Sequence, residues 1–118
     1  MANLTVLSYQ CEEISEDIGS IVLKEVELAD PGPGEVRVRL KACAVNFPDL
    51  LMIQGKYQFK PPLPFSPGGE VAGVVSKLGE GASMYKIGDR VIGSCGHGGF
   101  VEQLAIPETS CIGLTAIP

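Results

Sequence analysis

The sequence has no tryptophan and a single histidine, His97, among its 118 residues. One imidazole cannot build a histidine-rich metal site, and it gives a Ser–His–acid relay only one place to stand. Ser94 is close by in Ser94-Cys95-Gly96-His97, but that stretch has neither a nucleophile elbow nor an identifiable orienting acid. Cationic residues are also scarce: nine Lys and Arg against fourteen Asp and Glu give a formal net charge of -5. No basic patch emerges for a phosphodiester backbone, which argues against a nucleic-acid partner. An anionic cofactor stays open, because it needs only a few local donors. No stretch approaches the roughly 18 apolar residues of a membrane span, so no membrane partner is expected. Nor does Met1-Ala2-Asn3-Leu4-Thr5 lead into a basic and then apolar signal segment. Cys11, Cys43, Cys95 and Cys111 are widely scattered and form no CxxC pair. Without a secretory signal they read as reduced thiols of a cytoplasmic protein.

What the chain does have is breakers: 15 glycines and 9 prolines, within a composition that is 45% hydrophobic and 19% charged. A globular core is affordable, and frequent turns between short strands are expected rather than a helical bundle. The length suits one domain. Leu4 to Tyr9 and Ile21 to Leu28 read as strands separated by a polar turn from Glu12 to Gly19. After Pro31-Gly32-Pro33-Gly34 comes the clearest signal: Val36, Val38, Leu40 and Ala42 alternate with Arg37, Arg39, Lys41 and Cys43. That period of two predicts an antiparallel strand with one face on a core.

Asn46 can cap a short helix whose first turn holds Pro48 and Asp49, with Leu50, Leu51 and Ile53 as its apolar side and Gly55 as its stop. Pro61-Pro62-Leu63-Pro64 reads as a rigid loop, Val71–Leu78 as a strand bent at Gly73, and Gly88–Gly93 and Phe100–Ile106 as two more. A weakly patterned tail follows Pro107. Many short strands, one short helix and no sustained β–α alternation predict a mainly β, partly closed barrel.

Six blocks then fall in register: Pro33-Gly34-Glu35-Val36, Ala44-Val45-Asn46-Phe47-Pro48-Asp49, Leu63-Pro64-Phe65-Ser66-Pro67-Gly68-Gly69-Glu70, Gly73-Val74-Val75, Gly88-Asp89-Arg90-Val91 and Gly98-Gly99-Phe100-Val101-Glu102. From about Leu4 to Ile106 the chain resembles the N-terminal GroES-like catalytic domain of medium-chain dehydrogenases/reductases. The branch it is most similar to is the zinc-free NADPH:quinone oxidoreductases, or zeta-crystallin-like enzymes. The resemblance implies that residues 1–118 form the GroES-like, substrate-side domain. The nucleotide-binding Rossmann domain is absent from this chain, which contains no strand–GxGxxG–helix unit. Gly93, Gly96, Gly98 and Gly99 are expected to serve turns and tight packing, not a phosphate cradle.

In the zinc-dependent branch the first ligand is a Cys three residues before an Asp, and the second a His directly before a Glu. The matching positions here hold Asn46, before Asp49, and Gly69, before Glu70. No metal site is expected; Cys95 and His97 alone fall short of the three protein ligands a catalytic zinc needs. Asp49 and Glu70 can be read as an acid/base pair, but capping for Asp49 and cleft or turn hydrogen bonding for Glu70 are preferred. Asn46 is the leading functional candidate, since its amide has both a donor and an acceptor with which to orient a nicotinamide or a substrate carbonyl. Helix capping is the competing role for the same side chain.

By resemblance Asn46 lies at the cofactor–substrate cleft, with Phe47 beside it against the cofactor. Tyr57 matches a substrate-pocket Tyr, Leu51 stands where some relatives carry a second pocket Tyr, and Phe65 either contributes to the same mouth or packs in the core. The implied activity, in a full-length homodimeric parent, is NADPH-dependent, zinc-independent hydride transfer to a quinone. Enoyl or alkenal reduction in the same superfamily and a non-catalytic GroES-like interaction module are the alternatives. This chain by itself is expected to be inactive.

Overall fold

The computed structural model describes residues 4–114. The first two hydrophobic stretches form β1 (Leu4–Gln10) and β2 (Val22–Leu28), an antiparallel hairpin with Val6 opposite Val26 and Tyr9 opposite Leu23. The remaining strands are β3 (Glu35–Cys43), β4 (Glu70–Leu78), β5 (Arg90–Ser94), β6 (Gln103–Pro107) and β7 (Cys111–Gly113). They make one antiparallel sheet in the order β6-β3-β4-β5-β7. Among the described residues one α-helix, α1 (Phe47–Ile53), lies between β3 and β4.

The mainly β composition and the short helix match the expectation; the partly closed barrel does not. Closure requires every strand to be laddered to two neighbours. Here the five-stranded sheet is open, and its outermost strands, β6 and β7, are not paired to each other. The hairpin is a separate two-stranded sheet that meets the rest through isolated bridges, Ser8 to Val101 and Cys11 to Phe65. The sequence explains why neither bridge grows into a ladder. Gly96 and Gly98 take positive φ just before Val101, and prolines 61, 62 and 64 have no N–H to donate beside Phe65.

Val36, Val38, Val71, Val75, Val91, Ile106 and Cys111 form the main core cluster on one face of the larger sheet. Val36, Val38 and Val91 are fully buried, each contributing about 1.5–3 kcal/mol by area removed from water. β-Branched side chains suit this pleated surface. Gly73 lets β4 run close to β3, because a Cβ there would collide with the Arg39 carbonyl.

Two details of β3 depart from simple alternation. Arg37, expected on the charged face, is buried and lies 3.4 Å from Asp30, which also takes the Lys77 ammonium at 2.6 Å. Further along, Leu40 stands opposite Gly73 and Ala42 opposite Ala72, so Lys41 is an extra residue in the strand. This bulge changes the parity: Ala42 turns outward and Cys43 packs against the core. β7 was hidden in the weakly patterned tail. On α1 the buried residues are Asp49, Met52 and Ile53, while Leu50 and Leu51 are only half-buried. Met52 and Ile53 join Cys11 and Phe65 in a second, smaller cluster that pins the helix.

Candidate functional site

Four short segments converge beside the N-terminus of α1: the end of β3, Asn46–Asp49, the Gly68–Glu70 corner and the loop after β5. Asp49 ties two of them together, the helix start and the Gly68–Glu70 corner. Its Oδ2 accepts from the main-chain N–H of Asn46 at 2.8 Å, the reciprocal bond of a capping box, and its Oδ1 accepts from Gly68 N–H at 3.0 Å. The Asp49 carboxylate is only 2% exposed, so these backbone donors satisfy it in place of water. Gly68 can make this turn because it has no side chain. At its φ of 98° a Cβ would lie 2.8 Å from Cys43 Sγ and 2.7 Å from the Phe100 ring.

The Asn46 side chain is turned toward Glu70: its Nδ2 donates to Glu70 Oε1 at 2.6 Å. Capping therefore falls mainly to Asp49, whose own N–H bonds to the Asn46 main-chain carbonyl at 3.0 Å. Glu70 is exposed, and its carbonyl accepts from Ala44 N–H at 2.9 Å, tying the first residue of β4 to the segment that carries Asn46. Glu70 lines a cavity of about 330 Å³ with Ala42, Cys43, Ala44, Val71, Ala72 and Ile92. A larger apolar cavity of 540 Å³ lies between the hairpin and β3, against Leu7, Tyr9, Leu23, Val45 and Phe100. The smaller one is the better site candidate, because its wall includes the carboxylate bonded to Asn46.

The other expected site residues are spread out. Phe47 is 70% exposed and next to the equally prominent Val45. Tyr57 packs against the second core cluster, in which Phe65 is buried as a core side chain. Leu51 is half-buried on α1. His97 sits beside two rings, 5.6 Å from Phe59 and 6.4 Å edge-on from Phe65, and its Nδ1 is buried without a hydrogen-bond partner. The glycines of the same loop spend their amides internally: Gly98 N–H on the Ser66 carbonyl at 2.7 Å and Gly99 N–H on that of Gly68 at 2.9 Å. They are turn and packing residues, with those donors unavailable to a phosphate.

Among the described residues there is no group of three or more His, Cys, Asp or Glu placed to hold a metal ion. A Cβ at Gly69 would lie 3.0 Å from the Gly96 carbonyl oxygen, a tight contact.

Sequence reasoning did not anticipate the two thiols around this corner. Cys95 Sγ–H donates to the Gly68 carbonyl at 3.3 Å, and Cys43 flanks the same glycine. All four cysteines are free. Burial, then the neighbouring Cys95, Asp49 and Glu70, push the Cys43 thiol up to about 11; burial, then Asp49, do the same to Cys95. A raised thiol value leaves less thiolate at any given pH. Alkylation of Cys43 and Cys95 by iodoacetamide at pH 8 is therefore expected to run up to about a hundredfold slower than that of an unperturbed thiol. The rate should climb about tenfold per pH unit until near the raised values. Peptide mass spectrometry of timed samples checks this; labelling as fast as free cysteine would refute it.

Residues 32–116 match the family model of the alcohol dehydrogenase GroES-like domain. The chain is 39% identical over 101 residues to the quinone oxidoreductase-like protein 2 homolog of Nematostella vectensis, covering 85% of this chain and 27% of that protein. The crystal structure of human synaptic vesicle membrane protein VAT-1 homolog-like protein superimposes with a TM-score of 0.90 at 28% identity, over 95% of this chain and 36% of the other. A quinone oxidoreductase from Pseudomonas syringae pv. Tomato gives a TM-score of 0.83 at 32% identity, over 93% of this chain and 34% of the other. The chain thus spans about a quarter to a third of the length of these relatives.

Proposed function

Because the chain belongs to the alcohol dehydrogenase GroES-like domain family, we propose that it supplies the substrate-side domain of an NADPH-dependent oxidoreductase that reduces quinones. Its superfamily is the medium-chain dehydrogenases/reductases, and its relatives there are the zinc-free quinone oxidoreductases. The observation that carries the proposal is the Asn46–Glu70 pair at 2.6 Å beside an apolar cavity. A neutral amide held in one orientation can address the carboxamide of a nicotinamide without a metal or a charge.

These residues suit the nicotinamide end of the cofactor. Asn46 would hold the carboxamide and the exposed Phe47 would lie along the ring, while the Gly98 and Gly99 amides are already used. When bound, the nicotinamide would supply the hydride. The chain's own residues orient the reacting ring and exclude water, with Tyr57 and Leu51 as candidates for the substrate wall. Zinc independence is part of this reading, supported by Asn46 and Gly69 at the two ligand positions. A second domain with a glycine-rich nucleotide turn would hold the rest of the cofactor.

The test compares this chain with the complete oxidoreductase in NADPH titrations and in steady-state assays with 1,4-benzoquinone and a simple enone. The complete protein is expected to bind NADPH and turn over the quinone. The 118-residue chain should bind weakly and show no appreciable turnover. A complete protein that is silent with both acceptors would leave a GroES-like interaction module in place of an enzyme. Turnover of the enone alone would reassign it to the enoyl reductases.

A further inference from the structure

We propose that Glu70 is a positioning residue that fixes which way the Asn46 carboxamide faces. The proposal rests on the reading that Asn46 addresses the reacting ring. An amide side chain has two nearly isosteric faces, one donor and one acceptor, and nothing in its own shape chooses between them. An ionised carboxylate only accepts. At 2.6 Å, Glu70 Oε1 takes Asn46 Nδ2–H; the flipped amide would set Oδ1 against the carboxylate, acceptor against acceptor.

Both partners have anchored backbones. The Asn46 N–H is held by Asp49 Oδ2 at 2.8 Å, and the Glu70 main chain is held by Ala44 N–H and by its β4 pairing with Ser94. Little freedom is left for the side-chain bond to close in another geometry. Asn46 accordingly presents its donor and acceptor edges in one fixed order, with Oδ1 on the side away from Glu70. A carboxamide ligand can then match it in one orientation only. Glu70 itself is exposed, so the pair adds little to stability and its removal should act on the site more than on the fold.

Two measurements test this. Asn3 and Asn46 are the only asparagines in the sequence, so selective ¹⁵N-Asn labelling of this chain resolves the Asn46 side-chain NH₂ pair. Glu70→Ala is expected to move that pair toward free-amide positions, and Glu70→Gln to move it less, since Gln still offers an acceptor. In the complete protein, Glu70→Ala should lower kcat with benzoquinone about tenfold, with KM for the quinone changed less. Glu70→Gln should recover part of that loss. The double variant with Asn46→Ala should be no slower than Asn46→Ala alone, because Glu70 acts through Asn46. Unmoved Asn46 resonances in Glu70→Ala, or losses that multiply in the double variant, would overturn the proposal. If the complete protein reduces no quinone or enone, the functional reading fails, and the NMR result still decides the role of Glu70.

Discussion

Replacing Asp49 by Ala is expected to lower the unfolding midpoint by roughly 10–20 °C, the largest loss of stability at any single polar side chain near the site. The estimate comes from what the carboxylate holds. It accepts from the backbone N–H groups of Asn46 and Gly68 while itself nearly inaccessible. A hydrogen bond to a charged group contributes about 1.5–3 kcal/mol net, and truncation also strands buried donors. A total near 3 kcal/mol, spread over a domain this size, gives the shift above.

The two bonds also join α1 to the Gly68–Glu70 corner, so their loss loosens the helix start and the site together. Asp49→Asn should cost less, since one oxygen still accepts, but its new N–H₂ would face a backbone donor. Thermal melts followed by circular dichroism measure the series. If Asp49→Ala melts within about 2 °C of the unsubstituted chain, the clamp is not what holds the corner.

That clamp also marks where the sequence stopped being readable. The strand Glu35–Cys43 was legible because alternation with period two is a local property, and α1 because capping residues announce a helix start. The bulge at Lys41 was not, since it exists only as a mismatch between two strands' registers, and it decides that Cys43 rather than Ala42 turns inward. Three residues of β7 are too few to show a period, and they are held by pairing with β5. Openness versus closure likewise depends on how edge strands meet, which no single strand encodes.

At the site, Asn46 and Glu70 were each visible through their motifs, Glu70 as a cleft or turn hydrogen-bonding residue, but their pairing was not. Glu70 lies 24 positions away, and only the β3–β4 pairing carries it to Asn46. The burial of Phe65 follows from its bridge to Cys11, a contact made by the hairpin far earlier in the chain.

Asn46→Ala in the complete oxidoreductase is expected to reduce kcat with benzoquinone by between about 10²-fold and 10³-fold, the usual loss when one preorganised hydrogen-bonding group is removed from a reacting centre. The structure separates this from a folding defect. The cap of α1 is made chiefly by the Asp49 carboxylate and by the Asn46 main chain, both of which survive the substitution. What goes is one side-chain bond to an exposed carboxylate, a loss of about 1 kcal/mol or less. The melting temperature should therefore move by only a few degrees while turnover collapses.

Asn46→Asp sharpens the comparison, because it keeps the size and planarity of the side chain and removes the donor. An aspartate would face Glu70 as acceptor against acceptor and turn a negative charge toward the ring that Asn46 is proposed to hold. It should be at least as slow as the alanine variant at neutral pH. A merely space-filling Asn46 would instead tolerate Asp better than Ala. An Asn46→Ala protein that keeps most of its kcat but melts far lower would make this residue a support of the helix start, and the reacting ring would have to be oriented by other groups.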